Sequence, residues 1–151
     1  MGNIPFYLYL SLAILEGISV FYFVFTFTKI TSSKSRLILY AIIYALLTYL
    51  LRKLPISFGI HSLILICLTG GYISYYYKVK LSLSLFGMIL AIAIIFFAEL
   101  TTALLFTKIL SKYHVMLSKP FWWFVSGLPH IVLLILIAII LRKIRGRINA
   151  E

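Results

Sequence analysis

The sequence predicts an all-α integral membrane protein with a bundle of five transmembrane helices, on three observations. Of the 151 residues, 64% are hydrophobic and 11% are charged, whereas soluble domains carry about 25% charged residues. The mean hydropathy is +1.13. The apolar residues form long runs, with basic residues in short clusters between them, as in loops at lipid headgroups. We therefore expect one helical domain, residues 1–151, in a lipid bilayer, with no nucleic-acid partner despite the net charge of +11.

Five apolar segments define the predicted spans, residues 5–28, 37–51, 56–77, 81–107 and 121–141. A helix needs about 20 residues to cross the hydrocarbon. The second segment is shorter, but Arg36 and Arg52 at its ends can extend it by reaching toward headgroups. Pro5 and Pro120 are expected to open the first and fifth helices, where the missing N–H of proline costs nothing. The longest connection, residues 108–120, has room for a short interfacial helix.

The distribution of lysine and arginine predicts the orientation. Nine basic residues fall on one side of the predicted membrane, namely Lys29, Lys34, Arg36, Lys78, Lys80, Arg142, Lys143, Arg145 and Arg147. Five fall on the other side, namely Arg52, Lys53, Lys108, Lys112 and Lys119. Because cytoplasmic loops carry the excess of positive charge, the N-terminus is predicted outside and the C-terminus in the cytoplasm.

Three ionisable residues lie at the middle or outer-middle depth of the predicted spans. Glu16 and His130 are near the midpoints of the first and fifth spans, and Glu99 lies toward the outer face in the fourth. A charge at that depth costs several kcal/mol unless it is paired or reaches water. We therefore expect the two carboxylates to face the bundle interior, either for ligand recognition or proton coupling, or as paired groups that set the helix register.

The fifth span contains a proline next to this histidine. Pro129 is predicted to kink the helix near Val125, because it leaves the carbonyl of Val125 without its helical donor. Ser126 and His130 are placed to use the resulting polar space, and Gly127 gives another helix room to approach. The alternative is that Pro129 only bends the helix and His130 bonds a neighbouring backbone.

No catalytic or metal-binding pattern is present in the sequence. His61 and Cys67 are six residues apart, which turns them about 120° from each other on a helix. The chain contains no aspartate, no metal-ligand cluster and no phosphate-binding glycine loop. We expect Cys67 to be a small buried side chain and His61 to lie at headgroup level. The prediction is a protein that is not an enzyme and has no cofactor or metal.

Three short motifs resemble the membrane-sensor half of Agr-like receptor histidine kinases. They are residues 54–65 (LPISFGIHSLIL), 98–100 (AEL) and 127–131 (GLPHI). These receptors are the peptide-pheromone sensors of low-GC Gram-positive bacteria, and their cytoplasmic half is a GHKL-type ATPase. The resemblance implies a bacterial plasma-membrane bundle that senses an extracellular ligand. Residues 142–151 alone follow the last predicted span, so no kinase half is expected and phosphotransfer is not carried over.

Two function classes follow from these observations. The first is a non-enzymatic membrane sensor or regulatory module that binds a peptide or small ligand from the outer side. Its predicted ligand-binding residues are Glu16, Glu99, Ser126 and His130, and it would signal through a membrane-protein partner or a homo-oligomer. The alternative is a small proton- or cation-coupled transporter or channel component that uses the two carboxylates. A third possibility is a packing partner without any ligand.

Overall fold

The computed structural model describes residues 5–55, 58–109 and 119–148, and this part of the chain is all helical. Its five helices, numbered in chain order, are α1 Phe6–Thr28, α2 Lys34–Lys53, α3 Phe58–Tyr77, α4 Leu81–Ile109 and α5 Pro120–Ile148. Each predicted apolar segment thus corresponds to one helix.

Four of the five described helices are long and apolar enough to cross a membrane, namely α1, α2, Leu81–Leu105 of α4 and Pro120–Arg145 of α5. The exception is α3, although it was predicted as a span. The class of membrane-embedded helical protein therefore rests on four candidate spans.

Helix boundaries differ from the predicted ones mainly at charged ends. Helix α2 begins at Lys34 rather than residue 37, because the Ser33 side chain accepts a hydrogen bond from the Arg36 N–H at 3.5 Å. Pro120 is the first residue of α5, as predicted, but Pro5 lies one residue before α1 as its N-cap. The predicted interfacial helix in residues 108–120 lies mostly outside the described residues.

Helix α1 is the centre of the bundle. It packs against α2, α4 and α5, while α3 packs against α2 and α4. We call the end of the bundle where α1, α3 and α5 begin the upper end, and the opposite end the lower end. Ring contacts agree with this antiparallel order, since Phe6 meets Tyr49 at the upper end and Phe25 meets Tyr77 at the lower end.

Small residues allow α1 to approach its neighbours closely. A Cβ atom on Gly17 of α1 would lie 3.0 Å from the Cα and carbonyl oxygen of Ala41 on α2. A Cβ atom on Gly127 of α5 would lie 2.7 Å from Leu12 of α1. The predicted role of Gly127 in helix approach is confirmed, and both contacts set how α1 is rotated toward α2 and α5.

An apolar layer separates the two ends of the bundle. Its fully buried side chains come from four helices and include Val20, Phe23, Val24, Ile73, Met88 and Leu134. Outside this layer the helices carry exposed apolar residues, as a surface facing lipid does. Cys67 belongs to that outer surface, so the prediction that it is buried is wrong.

Candidate ligand-binding pocket

A polar pocket of about 420 Å³ opens at the upper end between α1, α2, α4 and α5. Its lining includes all four predicted ligand-binding residues, Glu16, Glu99, Ser126 and His130. It also includes residues that sequence reasoning did not assign to a site, namely Tyr9, Tyr44, Thr48, Arg52, Thr102 and Trp123. The volume falls in the range of about 300–1,000 Å³ that is usual for small-molecule sites.

Glu16 is half-buried on the wall formed by α1. Its neighbours Ala13 and Gly17 are buried, and Gly17 is the residue that contacts Ala41 of α2. This close packing turns Glu16 toward the pocket. Arg52 of α2 lines the same pocket as Glu16 and Glu99.

His130 and Glu99 face each other across the junction of α5 and α4. The Nδ1 atom of His130 lies 3.9 Å from Oε1 of Glu99, while the side chains are 3% and 54% exposed, respectively. His130 is therefore an interior residue, whereas Glu99 lies at the open side of the pocket. The expectation that both glutamates face the interior holds for Glu16 and not fully for Glu99.

Two polar side chains of the pocket are buried without hydrogen bonds. The described residues offer no hydrogen-bond partner to either ring nitrogen of His130 or to the hydroxyl of Tyr9. A buried polar group without a partner costs about 1–3 kcal/mol. Groups of this kind in a polar cavity are normally satisfied by water or by a ligand.

The serine and threonine hydroxyls of the pocket donate to carbonyl groups of their own helices. Thr48 donates to the Tyr44 carbonyl at 2.8 Å, and Thr102 donates to the Ala98 carbonyl at 2.7 Å. Ser126 donates to the Trp123 carbonyl at 2.8 Å. Because each of these hydroxyl hydrogens is donated to a backbone carbonyl, the three oxygens can accept hydrogen bonds from a ligand but cannot donate to it.

Aromatic rings and a cation form the upper rim of the pocket. Tyr9 and Trp123 stack with their ring centroids 6.1 Å apart and their planes 22° from parallel. The guanidinium carbon of Arg52 lies 5.5 Å from the centre of the Tyr9 ring. The rim thus combines a positive charge with flat apolar surfaces, above two carboxylates.

A smaller cavity of about 60 Å³ continues from the pocket toward α3. Glu16, Tyr44, Thr48 and Arg52 line both cavities, and the smaller one ends at His61. His61 is 9% exposed and its ring nitrogens make no hydrogen bond among the described residues. His61 thus faces the interior of the bundle, and its expected position at headgroup level stays a prediction.

The residues that sequence reasoning missed do carry a signal. Tyr44, Thr48 and Arg52 recur every four residues on α2, which places them on one helix face. Tyr9 precedes Glu16 by two helical turns and shares its face of α1. The same spacings are as common on helix faces that pack in a core as on faces that line a pocket. The spacing alone therefore does not distinguish the two.

Helix α5 continues through Pro129 as one element. Pro129 is exposed on the outer surface, whereas His130, the next residue, points into the pocket. The predicted kink at Pro129 stays a prediction.

The fold and the pocket together define an all-helical, membrane-type protein with a polar pocket at one end. Within the described residues there is no group of three or more His, Cys, Asp or Glu side chains that could hold a metal ion. Comparisons with protein-family models, with curated proteins and with solved structures give no match to the chain. The resemblance to Agr-like sensor domains accordingly stays a prediction based on its three short motifs.

Proposed function

We propose that this protein is a non-enzymatic membrane sensor or regulatory module whose upper pocket binds a small ligand or the end of a peptide. The observation that carries the proposal is the buried, unpartnered imidazole of His130 inside a pocket that also holds Glu16. A ligand that donates to and accepts from this imidazole would remove the cost of its burial.

The charges of the pocket indicate the chemistry of the ligand. Glu16 and Glu99 favour a cationic group such as an ammonium, and Arg52 at the rim favours a carboxylate. Tyr9 and Trp123 provide aromatic surface for an apolar side chain or for a cation. A zwitterionic amino-acid derivative or a peptide terminus carries all of these groups.

The ligand enters from the outer side in this proposal. The nine basic residues counted on one side of the membrane belong to the lower end, so the positive-inside rule puts the upper end outside. The bound state would then be read by a membrane-protein partner or a second copy of the chain in the plasma membrane of a bacterium. Helices α5 and α1 meet at Gly127 and Leu12. A displacement of α5 against α1 is the simplest way to transmit ligand binding to the partner.

Native mass spectrometry of the full chain purified in mild detergent tests the proposal. The wild-type protein should retain a bound species, and the double variant Glu16→Gln/Glu99→Gln should lose it. Lys80→Gln is the control, since it also removes charge but lies exposed at the lower end. Retention by the double variant equal to that of the control would contradict the proposal.

A coupled transporter is the second candidate, and the cavity beyond Glu16 favours it. That cavity connects Glu16 to His61, so ionisable groups follow one another into the bundle. Below these groups lies the apolar layer, in which Val20 and Phe23 are fully buried. This layer favours a closed binding pocket rather than a continuous transport path. Solute uptake by proteoliposomes that depends on a pH gradient and is lost in Glu16→Gln would favour the transporter.

A further inference from the structure

A second pocket, of about 310 Å³, lies at the lower end of the bundle. It is formed by the end of α1, the connection to α2 and the last turns of α5. Three cationic side chains line it, Lys29, Arg142 and Arg145, together with the hydroxyl residues Thr31 and Ser32. This lower pocket has a chemistry opposite to that of the upper pocket and takes no part in the function proposed above.

Arg145 is held in place by the end of α1. Its Nη1 atom donates to the carbonyl of Thr26 and, at 2.9 Å, to the carbonyl of Phe27. Both carbonyls belong to the last turn of α1, and the carbonyl of Thr26 also accepts the Lys29 N–H at 3.4 Å. The other guanidinium nitrogens of Arg145 have no hydrogen-bond partner among the described residues. Arg145 is therefore held in place and still has N–H groups that can donate to a ligand.

The chain reversal after α1 brings the other groups to the same place. Lys29 closes α1 in the left-handed conformation, with φ at 62°, and the Ile30 N–H bonds the Phe25 carbonyl at 2.8 Å. This turn lays Lys29 and Thr31 beside the final turns of α5. Ser32 is partnered, since its Oγ lies 3.2 Å from the Tyr77 hydroxyl.

No described acidic residue balances these three cations. Glu16 and Glu99 both lie at the upper pocket, and neither lines the lower one. Like charges held close together repel one another, and an anion placed between them would relieve this repulsion. Arginine is well suited to that anion, because its planar guanidinium can donate two parallel hydrogen bonds to a phosphate.

We propose that the lower pocket binds a phosphate group, contributed by an anionic phospholipid headgroup or by free phosphate, through Lys29, Arg142 and Arg145. Thr31 adds a hydroxyl donor. The volume exceeds that of a phosphate alone and leaves room for the glycerol part of a headgroup. Phe25, Ile30 and Leu37 give the pocket an apolar wall that suits the start of an acyl chain.

Arg142→Gln is the decisive variant, because Arg142 lines the pocket, is exposed and makes no hydrogen bond in the described part of the chain. Lys143→Gln is its matched control, since it removes the same charge from the next residue, which does not line the pocket. Binding is measured by native mass spectrometry of the full chain in detergent. The probes are phosphatidylglycerol, phosphatidylcholine as the neutral lipid, and inorganic phosphate.

The proposal expects phosphatidylglycerol to bind in preference to phosphatidylcholine, and Arg142→Gln to weaken that binding about tenfold, as for one lost charge-assisted hydrogen bond. Lys143→Gln should cause a clearly smaller loss. If the protein also binds inorganic phosphate, and Arg142→Gln weakens that binding, free phosphate is a ligand. If the protein binds phosphatidylglycerol but not inorganic phosphate, the ligand is the lipid headgroup. Equal losses in the two variants would mean a diffuse surface charge and overturn the proposal, as would no binding of either anion.

A second variant covers the case in which Arg142→Gln does not fold. Lys29→Asn removes a pocket cation while keeping a residue type that tolerates the left-handed conformation. It should weaken phosphatidylglycerol binding about tenfold as well. Unchanged binding in a folded Lys29→Asn protein, checked by circular dichroism, would count against the site.

Discussion

The imidazole of His130 and the carboxylate of Glu99 lie on neighbouring helices with Nδ1 and Oε1 3.9 Å apart. This distance is too long for a hydrogen bond, which needs about 2.7–3.2 Å. One member of the pair is buried and the other is largely exposed. The pair therefore spans from the interior of the upper pocket to its open side, and a small movement of α5 against α4 would form or break the contact.

Replacing His130 with phenylalanine should separate binding from stability. The ring fills a similar volume but has no polar atoms, so His130→Phe removes two buried nitrogens that lack partners. We expect an unfolding temperature equal to or above that of the wild type, with loss of the bound species in native mass spectrometry. Leu136→Phe, on the exposed side of the same helix, is the control. Unchanged retention in His130→Phe would remove this residue from the site.

Arg52 and Lys53 offer a matched pair of cations. Arg52 lies over the Tyr9 ring and Lys53 lies over the Tyr49 ring at 4.6 Å, but only Arg52 lines the pocket. Each contact is worth about 0.5–1 kcal/mol at an exposed site, so Arg52→Gln and Lys53→Gln should lower the free energy of unfolding by similar small amounts. Only Arg52→Gln should weaken ligand retention. An equal effect of both variants on retention would show that the rim charge acts non-specifically.

Glycine substitutions should show which helix contacts are tight. In Gly17→Ala the new Cβ would lie 3.0 Å from the backbone of Ala41, and overpacking of this kind costs about 1–3 kcal/mol. Gly71→Ala has nothing within 4 Å of its Cβ and should be neutral or stabilising by up to about 1 kcal/mol. Thermal unfolding in detergent measures both variants. Equal unfolding temperatures would mean that α1 and α2 pack more loosely than described.

Cysteine labelling can decide the orientation of the bundle. In a Cys67→Ala background, Lys80→Cys places a thiol at the lower end and Lys119→Cys places one at the upper end, both at exposed positions. If the positive-inside rule applies, a membrane-impermeant maleimide should label only Lys119→Cys in intact cells. Labelling of Lys80→Cys instead would reverse the orientation and place the upper pocket on the cytoplasmic side.

The kink predicted at Pro129 can be measured directly. Spin labels at Phe121→Cys and Ile139→Cys, both exposed on α5 and also in the Cys67→Ala background, report the distance between the two halves of the helix. Pro129→Ala restores the missing N–H donor and should lengthen this distance if the helix is bent. An unchanged distance would mean that α5 is straight, and the pocket would then not depend on Pro129.

The sequence by itself was enough to place five helices and to put Glu16, Glu99 and His130 at the middle and outer-middle depth of the bundle. Hydropathy follows from composition over some twenty residues, and depth follows from counting at about 1.5 Å per residue. Both the positions of the helices and the depth of a residue can be inferred without information on which helices are neighbours. The sequence predicted five spans, whereas four of the described helices are long and apolar enough to cross a membrane.

Only the tertiary structure decided which side of each helix faces inward. A helix that is apolar all round gives little indication of its rotation, so Cys67 was expected inside although it is exposed, and the inward orientation of His61 was not predicted. Rotation is set by contacts such as Gly17 with Ala41, which depend on two helices at once. The bond from Arg145 to the end of α1 joins residues 119 positions apart, and no local pattern in the sequence predicts that they meet.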